Sequence, residues 1–310
     1  MAESSVAERL AVPAFILVWA SGYVVAKLAA ADAEPLSFLV LRYAAVCALM
    51  GVLALAGGAK WPNRREAFHI AVAGVLIQAL YLGGVWVAIR MGLSAGVAAL
   101  IVNLQPVLTV CLSFWAHERV TRRQLLGVAI GFAGVLLVLA AKLTATAVSG
   151  ALGIPVVICF AALLGSTFGV LYQKRYVPSF DLRSGQVIQF AAAMVATLPF
   201  VWWFESFNIR WTSSVIIAML WSVFVLSGIG ISIMFFLLRH GSVTRLTSAM
   251  YLVPGLTAVL AWLMFGETLG WNVIAGMAVS LFGVYLVVST PGKDSQTNTT
   301  NGEHASQMTK

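Results

Sequence analysis

The 310 residues are 61% hydrophobic and only 10% charged, against about 25% charged in soluble domains, which excludes an ordinary soluble enzyme. The net charge of +8 comes from cations set singly or in pairs between apolar runs; without a basic face interleaved with aromatics, it excludes nucleic acid as a partner. Cys47, Cys111 and Cys159 all sit within apolar runs, too few and too scattered for a disulfide framework or a thiolate metal site, and read as small core residues.

A bilayer core about 30 Å thick needs about 20 mostly apolar residues per helix. Windows of that size predict an all-α polytopic membrane protein with ten transmembrane helices, over residues 10–30, 36–56, 68–89, 94–115, 124–141, 150–172, 184–204, 214–238, 246–265 and 270–288. The first window follows Glu3 and Glu8, a poor cationic leader, so it reads as a span and not as a signal peptide. Residues 290–310 turn abruptly to Ser, Thr, Asn, Gln and Lys and read as a disordered tail.

With a cytoplasmic N-terminus, fourteen of the 19 Lys and Arg, Lys60, Arg64, Arg122 and Arg183 among them, fall in cytoplasmic segments. Arg90, Lys142 and Arg210 fall opposite, and Lys27 and Arg42 lie within spans. The excess of cations places both termini in the cytoplasm.

The halves repeat. LSAGVAALIVNLQP (93–106) lines up with GSVTRLTSAMYLVP (241–254), matching Ser94 to Ser242 and Pro106 to Pro254. Glu118, Gly127 and Gly134 correspond to Glu267, Gly276 and Gly283 at an offset of 149. Five spans per half is odd, so equivalent helices cross in opposite directions. The chain divides into a cytoplasmic N-terminus (1–9), two five-helix repeats (10–142 and 143–289) and the tail. Inverted repeats place a substrate site near the midplane between halves that rock for alternating access, which favours a transporter.

This order of features, together with PLSFLVLRY at 35–43, resembles the drug/metabolite transporter superfamily, in its EamA-type branch. The resemblance covers about residues 10–289. It implies a ten-helix exporter of small metabolites in a bacterial inner membrane, of the kind that exports aromatic amino acids and paraquat. It also implies a central cavity walled chiefly by helices one, three, four, six, eight and nine, and a fifth and tenth helix that form a dimer seam in some relatives. A monomer and a homodimer both remain open.

Polar side chains deep in spans mark a pathway, because each is costly in hydrocarbon unless it faces a helix, water or ligand. Gln78 and Tyr81 share a helix face in span three, Trp19 and Tyr23 share one in span one, and Asn103 precedes Pro106 in span four. The functional reading is an amphipathic cavity in which Trp19, Tyr23, Tyr81, Trp86 and Tyr251 offer flat surfaces and Gln78, Asn103, Ser166 and Ser227 offer hydrogen bonds. The alternative is interhelical bonding and, for Trp61, Trp115, Trp202, Trp203, Trp211 and Trp271, an interfacial belt. Pro106 and Pro254 interrupt helices as hinges or as static kinks. Arg42 lies about 9 Å inside span two, where snorkelling or bonding helix-end carbonyls is the structural reading and attraction of a substrate carboxylate the other. Glu118 and Glu267 are expected to cap the helix that follows each.

All eleven acids lie in termini, loops or span ends. No midplane carboxylate is therefore expected to exchange protons with substrate, and no acid, base and nucleophile come into mutual reach for catalysis. Small amphipaths remain as substrates, amino acids first and organic cations second, with no cofactor.

Overall fold

The computed structural model describes residues 6–115, 121–145, 153–240, 250, 252–267 and 270–288. The expected tail, Glu118 and Tyr251 lie outside them. Helices α1 (Val6–Ala30) and α2 (Pro35–Ala56) come first. Next, α3 (Arg64–Gly74) continues through a π-helical segment, Val75–Leu82, into α4 (Gly83–Arg90). Then follow α5 (Ala95–Val102), α6 (Gln105–Trp115), α7 (Arg122–Ala145), α8 (Gly153–Tyr176) and α9 (Leu182–Phe204). A second π-helical segment, Trp221–Gly230, joins α10 (Ser213–Leu220) to α11 (Ile231–His240), and α12 (Leu252–Phe265) and α13 (Trp271–Val288) complete the order.

Among the described residues the chain is all-helical, with one isolated backbone bridge between Ala33 and Ile209. Among the described residues seven helices are long and apolar enough to cross a bilayer. Three shorter apolar helices, Ala95–Thr109, Leu252–Phe265 and Trp271–Leu286, coincide with the fourth, ninth and tenth windows. Trp202, Trp203, Phe204 and Trp271 near helix ends are each at least three-quarters exposed, as an apolar surface covered by lipid requires.

Two connections show how local chemistry fixes the frame. Pro35 opens α2, and the Glu205 carboxylate at the end of α9 accepts from Leu36 N (2.9 Å), Ser37 N (2.6 Å) and Ser37 Oγ (2.7 Å). At the other end of α2, Arg183 from the start of α9 donates to the carbonyls of Leu53 (3.4 Å) and Gly57 (3.1 Å). An acid therefore meets the N-terminus of α2 and a cation its C-terminus, both favourable against the helix dipole. The adjoining loops interlock: Asp32 pairs with Arg210 at 2.6 Å, and Glu34 Oε2 accepts from the backbone N–H groups of Ser206 and Asn208.

The helix break of the fourth window falls at Asn103 and Leu104, just before Pro106, the second residue of α6. Proline disfavours helical backbone at the preceding residue and is tolerated in a first turn. Pro254, the third residue of α12, occupies the same kind of position.

The neighbour pattern repeats when the halves are exchanged: α8 packs on the first π-helical segment as α1 packs on the second, and α5 meets α12. Helices α7 and α13 pack most intimately. A Cβ added at Gly134 would lie 2.3 Å from Ser280 N and 2.7 Å from Gly276 O. One added at Gly283 would lie 2.2 Å from Gly131 N and 2.7 Å from Gly127 O. The helices are therefore antiparallel, and the offset of 149 turns the Gly134–Gly276 contact into the Gly283–Gly127 contact. This glycine seam closes within one chain.

Gly134→Ala is expected to destabilise the protein by about 1–3 kcal/mol, because overpacking against backbone has no side chain to displace. Gly255→Ala, with nothing within 4 Å of its added methyl, should be neutral or stabilising. Melting temperatures in detergent compare the two; equal values would show that the seam tolerates separation.

Candidate functional site

The two π-helical segments carry the deep polar residues. A π turn inserts one extra residue into a helix and occurs frequently at functional sites. Gln78 and Tyr81 lie in the first and Ser227 in the second, and the repeat offset pairs Gln78 with Ser227 and Tyr81 with Gly230. The wide turns are pinned by neighbours: Tyr43 donates its hydroxyl to Gln78 O at 2.7 Å, Trp221 Nε1 donates to Ser21 Oγ at 2.9 Å, and Ser227 Oγ donates five residues back to Ser222 O at 3.0 Å. Gly230 lets α1 approach, since a Cβ there would meet Val18 Cγ1 at 2.9 Å.

Between these segments lies a cavity of about 140 Å³. Trp19, Gly22 and Tyr23 of α1 form one wall, and Gln78, Tyr81 and Trp86 form the next. The second half contributes Phe190 of α9 with Leu226, Ser227 and Ile231. Tyr23 and Tyr81 bring their hydroxyls to 3.4 Å, and Trp86 stacks on Phe38 at 4.8 Å between ring centroids. The Gln78 side-chain amide makes no hydrogen bond among the described residues. The cavity thus offers flat aromatic surfaces together with a few polar groups that are free to bond, which is what a small amphipath needs.

Trp19, Tyr23, Gln78, Tyr81 and Ser227 therefore come together in space. Asn103 and Ser166 stand outside the cavity: Asn103 caps α5 with its Nδ2 buried and unpartnered, and Ser166 donates to Gln105 Oε1 at 2.8 Å. The walls differ from those the family resemblance implies. Among the described residues they come from the first, second, third, seventh and eighth windows, while α5 and α6 bond to α8. Arg42 also departs from its structural reading. It is only 6% exposed, lining the cavity and donating from an Nη to Ser227 Oγ at 3.4 Å. Its helix packs along α9, and a count of residues from the span end does not reveal which neighbours cover the side chain.

Glu267 corrects a second expectation. It does not cap α13; it forms an ion pair with Lys27 of α1 and accepts from Ala95 N at the start of α5 (3.4 Å). Lys27 also lies 5.1 Å from the centroid of Phe265. The N-terminus of α5 belongs to the other half, and its free N–H groups together with a cation outcompete the nearer helix. With Glu267 only 12% exposed, the pair should show a coupling above the ~0.2–1 kcal/mol of surface pairs. A double-mutant cycle with Lys27→Met and Glu267→Gln, read by thermal stability, checks this; additive effects would place the pair among inert surface contacts.

Seven long apolar helices and a partly enclosed amphipathic cavity define a multi-pass membrane protein built to hold a small molecule. Residues 10–140 and 152–289 match the EamA-like transporter family, and the chain belongs to it; it is a transporter. It is 27% identical over 277 residues to an uncharacterized inner membrane transporter, YedA, of Escherichia coli (strain K12), covering 88% of each chain. A probable amino-acid metabolite efflux pump of Salmonella typhimurium is 25% identical over 287 residues, 88% of this chain and 92% of its own. One solved crystal structure aligns over 92% of this chain and 98% of its own with a TM-score of 0.63 at 16% identity, a likeness of fold.

Proposed function

We propose that the protein exports small amphipathic metabolites, amino acids foremost, across a bacterial inner membrane by alternating access, with ten spans arranged as two inverted five-helix repeats. The observation that carries this reading is the cavity between the halves, lined by Trp19, Tyr23, Gln78, Tyr81 and Ser227 and bordered by a π-helical segment from each half. The antiparallel glycine seam, whose contacts exchange under the repeat offset, supports the inversion. The probable amino-acid efflux pump among the relatives supports the substrate class. Because the seam is satisfied within the chain, a monomer suffices. Among the described residues no acid lines the cavity, which supports a flux driven by substrate gradients or by groups outside the cavity.

The test is counterflow in proteoliposomes loaded with individual amino acids. Tyr81→Ala and Gln78→Leu are expected to weaken apparent affinity at least about tenfold, the loss of one or two buried hydrogen bonds with their packing, at unchanged yield of folded protein. Wild-type kinetics in both variants would remove the cavity from the pathway. Orientation is read separately: single cysteines at Lys60 and Arg183 in a cysteine-free background should resist impermeant thiol reagents in intact cells, and ready labelling from outside would invert the topology.

A further inference from the structure

The cavity contains a charge that no described residue answers with an ion pair. Arg42 is 94% buried, a complement of its 6% exposure, yet it borders the cavity. A guanidinium presents five N–H donors and keeps its charge in proteins. Among the described residues Arg42 makes one hydrogen bond, the 3.4 Å contact to Ser227, and no ion pair, and its Nε has no partner. Among the described residues no Asp or Glu lines the cavity. The Lys27, Arg183 and Arg210 side chains have carboxylate partners, Glu267, Asp181 and Asp32, although each is more exposed than Arg42.

We propose that Arg42 is the anchor for a carboxylate of the transported molecule, so that the cavity takes amphipathic monocarboxylates, zwitterions included, in preference to bare cations. This rests on the transporter reading and adds the chemistry of its substrate. A buried cation with unused donors is costly until an anion arrives, and a planar carboxylate matches the guanidinium fork with two parallel hydrogen bonds. The surroundings suit the remainder of such a molecule. Trp19, Tyr23, Tyr81 and Trp86 flank its apolar body, and the Gln78 carbonyl oxygen accepts from an ammonium group. A ligand whose only charge is positive meets Arg42 across a cavity of low dielectric, where like charges repel strongly.

The experiment uses the purified full-length chain. Thermal stabilisation is measured with L-phenylalanine, L-leucine, L-threonine and phenylacetate, each beside its amide, and with tetramethylammonium. At least one acid is expected to stabilise the wild type, with its amide at least about tenfold weaker, the share of a charge-assisted bond pair. Arg42→Met should abolish that response while leaving the unliganded melting temperature unchanged or higher, because it removes an uncompensated buried charge. A merely structural arginine would do the reverse: Arg42→Met would melt lower, and the acid response would persist in the folded fraction or in Arg42→Lys and Arg42→Met alike. Amides or tetramethylammonium acting as strongly as the acids, or no response to any acid, would also overturn the proposal. Counterflow of whichever probe binds separates the two readings. Arg42-independent counterflow of a cation sinks the anchor and leaves the transporter, whereas Arg42-dependent binding without counterflow leaves the anchor and sinks the transporter.

Discussion

Hydrocarbon offers no hydrogen bonds, so a helix inside it can depart from regular geometry only where its own neighbours repair the ladder. In this chain the departures are not scattered. The two π-helical segments, Val75–Leu82 and Trp221–Gly230, are each tied to an adjacent helix by an aromatic donor: Tyr43 of α2 donates to Gln78 O of the first, and Trp221 of the second donates to Ser21 Oγ of α1. The widened turns push Gln78, Tyr81 and Ser227 out of helical register and into one cavity. The cavity thus lies where the protein shelters two irregular helices, one from each half.

The glycine seam solves the opposite problem. Between α7 and α13, Gly127, Gly131, Gly134, Gly276 and Gly283 bring two backbones into contact. Without a hydrophobic drive between helices in lipid, such close approach supplies dispersion contact that larger residues would forfeit. Close helix packing and the sheltered cavity therefore fall on different helix pairs.

Much of this frame was legible in the residues. Windows of apolar sequence located the long helices to within a few residues, and the repeat offset anticipated that Gln78 and Ser227 occupy equivalent places. Trp19, Tyr23 and Tyr81 were singled out because aromatic and polar residues at helical spacing are unusual at mid-depth. The π turns were not legible, since the difference between four- and five-residue hydrogen bonding leaves no mark on hydropathy. Asn103 and Ser166 read as cavity residues for the same reason that Gln78 did, depth and polarity. The place of Asn103 as the C-cap of α5 and the Gln105–Ser166 bond separate them. Arg42 and Glu267 were misjudged because sequence distance from a span end measures depth along one helix and says nothing of the helix opposite.

The capping of α2 by residues of α9 at both ends has a mechanical consequence. Glu205 holds one terminus and Arg183 the other, so the two helices form a strut clamped like a beam at both supports. Arg42 and Phe190 sit on that beam, whereas Trp19 and Tyr23 ride on α1, Tyr81 on the first π segment and Trp86 on α4. On the proposed alternating-access reading, the clamped charged side would serve as a stator and those rings as the moving part. Differences in affinity between the two faces of the membrane would be set by how well rings close over the substrate, with the electrostatic term held constant.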